Sequence, residues 1–193
     1  MPIDKTEINL TAANPGLRKL LVGAGWDFNP YDGDPLDIDL SCFALGRDGL
    51  TREDDDFVFY NQPNGVQLAI KHLGDNRTGA GEGDDEAIMI DLDNLSFDIW
   101  SIVFVVSIYQ GHQRDHNFTL LREATLRVEN ADSGTEIHRM KFDAGGKPDT
   151  AAIRICEIRR NGVEWTFVPL NQPVAGGLGE IAKAYGLLIS STT

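Results

Sequence analysis

The chain has 193 residues, 17 of them Lys or Arg and 30 Asp or Glu, for a formal net charge of −13 at pH 7. That sign excludes the basic footprint nucleic-acid phosphates require, and it opposes docking on an anionic membrane surface. The length suits one good-sized core, so residues 1–193 are read as a single domain.

The opening MPIDKTEINL has no basic stretch followed by an apolar run. The longest apolar stretch, around Ile99 to Tyr109, is too short and too polar-flanked to span a bilayer. A cytoplasmic protein without direct membrane insertion is expected. Cys42 and Cys156 each sit in an apolar, strand-like segment, which makes buried reduced thiols a better reading than a disulfide framework or a zinc site.

In chain order, Ile8 to Leu10 and Leu17 to Val22 read as short strands around an Asn14-Pro15-Gly16 turn. The segment GAGWDFNPYDGDP from Gly23 reads as a loop. Leu36 to Ser41 alternates apolar and polar residues, as a strand with one buried face does. Its polar face carries Asp37 and Asp39, about 7 Å apart by the strand rise. Asp is depleted in strands, so this pair points either to cation ligands, with Asp27 and Asp34 as outlying candidates, or to an edge strand guarded by charge. The run Glu53 to Asp56 reads mainly as a solvated connection ahead of an aromatic strand, Phe57 to Tyr60. Val66 to Ile70 is expected to form another strand.

The stretch GDNRTGAGEGDDE from Gly74 to Glu86 is the most informative in the chain. Calcium takes about six to eight oxygens from carboxylates, amides and backbone carbonyls, so its loop must fold tightly around the ion. Gly74, Gly79, Gly81 and Gly83 permit such folding, and they punctuate Asp75, Asn76, Thr78, Glu82, Asp84, Asp85 and Glu86. The loop is not an EF-hand, because Arg77 and Gly79 occupy ligand positions, Ala80 replaces the turn glycine and a strand follows. It is not a Walker loop either, because Asp84 follows its last glycine. A solvated acidic loop is the plain alternative.

Beyond the loop, Ile88, Ile90 and Leu92 alternate with Met89, Asp91 and Asp93, and Phe97 to Tyr109 should be a central strand buried on both sides. His112 and His116 lie in a loop with no third ligand nearby, which disfavours zinc. Further strands are expected in Phe118 to Val128, Glu136 to Phe142, Ala152 to Ile158 and Trp165 to Val168, the last two joined by an Asn161-Gly162 hairpin. In Gly177 to Gly186, Leu178, Ile181, Ala182 and Tyr185 share one helical face and Gly186 stands at the C-terminal cap. The expected fold is all-β, a β-sandwich of two antiparallel sheets with a short C-terminal helix.

Taken together, GWD at Gly25 to Asp27, DIDLSCFAL at Asp37 to Leu45, FVFYNQP at Phe57 to Pro63, GDNRTGAGEGDDE, REATLRV around Arg122 to Val128, NGVEWTF at Asn161 to Phe167 and the closing GGLGEIAKAYG resemble the TerD family of tellurium-resistance and stress-response proteins. The resemblance runs in register over essentially the whole chain. It implies a bacterial β-sandwich that binds calcium through acidic loops at one end. Carried over by position, Asp37 and Asp39 match the first acidic strand, while Asp75, Asn76, Thr78, Glu82, Asp84, Asp85 and Glu86 match the glycine loop; that count fits two calcium ions. The chain departs from the pattern at Glu82, a slot where Asp is expected at least as often, and at Val168 to Gly177.

The expected function is a calcium-binding, non-enzymatic stress-response module whose ordered face binds a partner, such as another stress-response operon protein at the membrane. A metal-dependent phosphohydrolase using the same carboxylates is the alternative, though a general base and a cationic partner for a phosphoryl group are not evident in sequence. Direct thiol chemistry on tellurite is disfavoured by the apolar setting of both cysteines.

Overall fold

The computed structural model describes residues 6–28, 36–75, 83–143 and 149–188, with Phe28 and Asp75 described through their backbone alone. Among these residues the strands are β1 (Ile8–Asn9), β2 (Lys19–Phe28), β3 (Ile38–Leu45), β4 (Phe57–Val58), β5 (Asn64–Gly65), β6 (Ile70–Asp75), β7 (Glu86–Asp91), β8 (Ser101–Ile108), β9 (Leu121–Asn130), β10 (Thr135–Lys141), β11 (Thr150–Asn161) and β12 (Glu164–Ala175). They form two six-stranded antiparallel sheets, in the orders β1-β12-β11-β8-β3-β4 and β10-β9-β2-β7-β6-β5. Two helices complete the fold, α1 (Leu10–Ala13) and α2 (Gly177–Ala184).

The alternation of each strand places its apolar set between the sheets. Leu20, Val22 and Ala24 of β2, Ile88 and Ile90 of β7, and Leu126 and Val128 of β9 meet Leu40, Cys42, Phe104, Ile153 and Phe167 of the other sheet in one buried core. β8 is apolar on both faces because it has two covers. Ile102, Phe104 and Val106 point into the sandwich, while Val103 and Val105 lie in a second cluster with Phe43, Phe57, Ile181 and Ala182 beneath α2. Tyr185 packs on Phe43 with ring centroids 5.1 Å apart, and Gly186 closes the helix at φ +91°.

Both thiols are fully buried, and burial raises the pKa of each. They flank Phe104 from the neighbouring strands β3 and β11, two strand spacings or about 9.6 Å apart, too far for a disulfide.

Four expectations need correction. Ile8 to Leu10 is a two-residue strand that passes into α1, whose N-terminus is capped by the Asn9 side chain accepting from the Ala12 N–H at 2.9 Å. The segment from Gly23 to Phe28 continues β2 instead of looping, because its glycines admit another part of the chain, as described below. Residues 97–100 precede the central strand, which starts at Ser101.

The fourth correction concerns the acidic run and the residues after it. Asp56 is completely buried, and its carboxylate accepts from the Arg52 backbone N–H at 2.7 Å and from Nε and Nη2 of the same arginine at 3.0 and 2.7 Å. Asp55 accepts from the Val66 N–H through its carbonyl and from the Gln67 N–H through Oδ2. Val66, Gln67 and Leu68 thereby adopt positive φ (49°, 54° and 72°), a left-handed turn where a strand is expected. Such backbone costs of order 1 kcal/mol or more per non-glycine residue and persists only when its surroundings fix it.

Asp56→Ala removes the acceptor of the Arg52 backbone N–H, Nε and Nη2 and leaves a void where the carboxylate is buried. A loss of about 3 kcal/mol in unfolding free energy is expected in urea titration; a loss below about 1 kcal/mol would assign the pair the small value of a surface ion pair.

Candidate functional site

The exit of the glycine loop sends three successive acids in three directions. Glu86 opens β7 and continues the inward parity of Ile88 and Ile90. Its Oε2 accepts from the Leu40 N–H at 2.5 Å and lies 3.2 Å from His72 Nε2. The same His72 nitrogen lies 3.1 Å from the Leu40 carbonyl. His72 Nδ1 accepts from the Gly74 N–H at 3.1 Å, which leaves the ring proton on Nε2 as donor. Leu40 lies beyond the two residues of β3 that pair with β4. The histidine and glutamate of one sheet therefore satisfy the open edge of the other.

Asp85 stays close to β2. Its N–H donates to the Ala24 carbonyl at 2.8 Å, and its Oδ2 accepts from the Trp26 N–H at 2.7 Å.

Asp84 lies on the outer face of the β2 sheet. Gly23 pairs directly with Arg127 of β9, which pairs in turn with Arg139 of β10. The missing side chain at Gly23 leaves a notch beside Arg127, and the Asp84 carboxylate fills it: a Cβ on Gly23 would stand 1.9 Å from Asp84 Oδ2. Arg127 Nε donates to both Asp84 oxygens at 2.8 Å, and its Nη2 reaches Oδ2 at 2.7 Å. Its Nη1 pairs with Glu129. The hydrogen bond that Arg127 donates to Asp84, opposed by burial and reinforced by Glu129, raises the guanidinium pKa well above its ordinary value. Arg139 pairs with Glu136 through two contacts, at 3.0 and 2.6 Å. These groups border a polar groove of about 1020 Å³ that also includes Gly25, Trp26, Asp27, Asp85 and Glu123.

The strand acids occupy another face. The Asp37 side chain is exposed, and its carbonyl accepts from the Tyr109 N–H at 2.8 Å. Asp39 is half-buried and borders a cavity of about 700 Å³ together with Tyr60, Tyr109 and Leu178. Burial raises the Tyr60 phenol pKa, with Asp39, Tyr109 and Asp37 adding to the shift, so these four groups share one neighbourhood. The two acidic motifs meet through Leu40, the residue after Asp39, which donates to Glu86. Asp27 is exposed and forms an ion pair with Arg122 at 2.8 Å. The Asp75 backbone stands opposite Glu86 in the β6–β7 ladder. Asp34, Asn76, Thr78 and Glu82 lie outside the described residues. Among the described residues, no three His, Cys, Asp or Glu side chains converge as a metal cage, and His116 has a buried Nδ1 with no hydrogen-bond partner.

The family model for the TerD domain matches residues 4–185. The chain belongs to the TerD family. It is 40% identical over 184 residues to "General stress protein 16U" of Bacillus subtilis (strain 168), covering 95% of each chain. It is 37% identical over 180 residues to "Tellurium resistance protein TerD" of Serratia marcescens, covering 93% of each. The crystal structure of a homologue of telluride resistance protein (TerD) from Streptomyces coelicolor A3(2) shares the fold, with a TM-score of 0.67 and 21% identity over 86% of this chain and 96% of that one. This TerD-family chain is thus of the tellurium-resistance or stress-response type, and these relatives are named for resistance or stress rather than for a reaction. No helix among the described residues is long and apolar enough to cross a membrane.

Sequence reading does not reveal Gly23, Arg127 or His72 as parts of the site. A visible sign exists only for the glycines, since two alternate glycines in a strand mark a close approach by another segment. Gly23→Ala is expected to expel Asp84 from its notch and lower stability by about 1–3 kcal/mol in urea unfolding. In an Asp84→Ala background the same change should be neutral or stabilising, because the colliding carboxylate is gone and alanine restrains the unfolded chain; an equal loss in both backgrounds would place the constraint elsewhere.

Proposed function

We propose that this TerD-family chain is a calcium-binding, non-enzymatic stress-response module in which the acids of the glycine loop and of β3 hold the cation and the ordered face receives a partner protein. The observation that carries this reading is the cradle at the loop exit, where Gly23 gives up its side-chain volume to a carboxylate and the β2 backbone holds the next acid in place. The donor chemistry agrees, because the acids offer hard oxygens, the ligands calcium takes. Asp84 and Asp85, together with Asp75, Asn76, Thr78 and Glu82 of the loop, would hold one ion, and Asp37 and Asp39, on their separate face, would contribute to another. Two ions suit that number of donors. Glu86 acts chiefly as a structural acceptor, since its Oε2 already serves Leu40 and His72. Bound calcium would supply positive charge that draws the acids together. The chain itself orients them and presents Trp26, Asp27 and Glu123 along the groove as partner-facing groups. A protein of the same stress response, cytoplasmic or held at the membrane, is the partner class that this reading carries.

A phosphohydrolase gains no support from the arginines beside the groove. Arg127 is engaged by Asp84 and Glu129, and Arg139 by Glu136.

Thermal unfolding of metal-stripped protein tests the reading. At calcium one hundred times its dissociation constant, about 2.7 kcal/mol of stabilisation per independent site is expected, with a much smaller effect of magnesium. No shift with calcium in protein shown to be metal-free would sink the assignment.

A further inference from the structure

Asp84 differs from its neighbours in the kind of partner it has. Asp85 accepts from the Trp26 N–H and Glu86 from the Leu40 N–H and the His72 ring, whereas Asp84 accepts from a cation, the Arg127 guanidinium, through both of its oxygens. The pair is sheltered, with the side chains 14% and 21% exposed, so it is screened less than a surface ion pair. Arg127 also has a second carboxylate, Glu129, that remains if Asp84 leaves. Release of Asp84 therefore does not strand the guanidinium. The notch over Gly23 receives only the carboxylate and contributes no bond to it, so nothing but Arg127 fixes Asp84 there among the contacts described.

We propose that Arg127 is a built-in counter-cation which occupies the Asp84 carboxylate and is exchanged for the divalent ion when the site loads, so that Arg127 sets the affinity and selectivity of cation binding. The inference rests on the calcium reading above. It assigns Arg127 a positioning role: it touches the ligand acid and not the ion. Charge bookkeeping favours the exchange. In the metal-free protein Asp84 and Glu129 share the Arg127 guanidinium, and Glu129 keeps it as the divalent cation takes up Asp84. A monovalent ion at the same place would have to displace an equal charge held by a fork of hydrogen bonds, which disfavours it. Arg139 stands opposite Arg127 and feels the charge of Asp84, which makes it the side chain able to replace Arg127 when that residue is removed.

The test combines calorimetric titration of metal-stripped protein with calcium chloride and nitrogen-15 NMR of the arginine Nε–H groups. In the wild type, the Arg127 Nε–H resonance is expected to be protected before calcium addition and to shift or broaden as calcium binds. Arg127→Gln, and Arg127→Gln/Arg139→Gln to prevent substitution by the neighbour, should bind calcium about tenfold more tightly or better, the loss of one charge-assisted pair from the competing state. The gain should vanish in an Asp84→Asn background, which shows that it acts through that carboxylate. Calcium binding by the wild type with an unmoved Arg127 signal and unchanged affinity in both arginine variants would overturn the exchange while leaving the calcium reading in place. Weaker binding in the arginine variants would overturn it as well, making Arg127 a support for Asp84 and not a competitor. Absence of binding heat in the wild type and in every variant would overturn both readings together. Absence in the wild type with tight binding in Arg127→Gln would support the exchange in its strongest form.

Discussion

The Glu86 carboxylate is the contact on which the loop-exit end of the sandwich depends. It belongs to β7 in one sheet and accepts from the Leu40 N–H of β3 in the other, beside the Nε2–H of His72. A sheet edge with an unpaired N–H and C=O would otherwise be left near the core, where an unsatisfied polar group costs about 1–3 kcal/mol. The contact also sets geometry. By fixing Glu86 on Leu40 it fixes the start of β7, and with it the points from which Asp85 and Asp84 depart. It places the exit of the glycine loop next to Asp39, one residue before Leu40 in the chain. Two motifs 36 or more residues apart in sequence are in this way tied to one end of the fold.

The outer face of the β2 sheet follows from a second constraint, the direct pairing of Gly23 with Arg127 and of Arg127 with Arg139. Two guanidiniums directly opposite one another on a sheet repel. The structure answers with Asp84, Glu129 and Glu136, one carboxylate arriving from the loop and two from the strands. An acidic chain thus places three of its acids against two of its arginines. The loop becomes part of the sheet's electrostatics.

Much of the architecture is legible in the amino-acid order, because burial on one face imposes a period of two on β7 and β9, and burial on both faces imposes the continuous apolar run of β8 and of the second half of β3. The helix α2 is legible from its 3.6-residue period and from Gly186. What escapes sequence reading is whatever a partner decides. Gly23 and Gly25 look like loop residues until the Asp84 carboxylate and the Gly83 carbonyl are seen to approach them. Val66 to Leu68 have the composition of a strand, and Asp55 bends them into a left-handed turn through two hydrogen bonds from an element that sequence shows only as a charge run. Asp56 looks solvated because burial of a carboxylate depends on Arg52 folding back upon it. For the site, the acid-rich motifs are visible and their grouping is not: strand parity puts Glu86 inward, the start of β7 at Glu86 frees Asp84 from that parity, and Asp37 and Asp39 keep to the face nearest Tyr60 and Tyr109.

Each acid at the loop exit has an internal partner, so on the proposed calcium reading folding would be separate from cation loading. Small metallo-domains often need their ion in order to fold, because nothing else offsets the repulsion of their ligands or closes their core. Here the core between the sheets is extensive, and the charge at Asp84 is balanced by Arg127 before any ion arrives. On the proposed calcium reading a cation would compete with bonds already made, so its affinity would be the difference between two satisfied states and not the full strength of its coordination. The three anchors are unequal competitors. The backbone N–H groups that hold Asp85 and Glu86 sit on strands β2 and β3 and cannot be withdrawn without moving those strands, whereas the guanidinium on Asp84 has a second carboxylate, Glu129. Asp84 is therefore the acid whose partner can change with least disturbance to the fold, and on the proposed reading the geometry around it, a side-chain-free notch on one side and an arginine with a second carboxylate on the other, would make it a responsive site instead of a merely acidic surface.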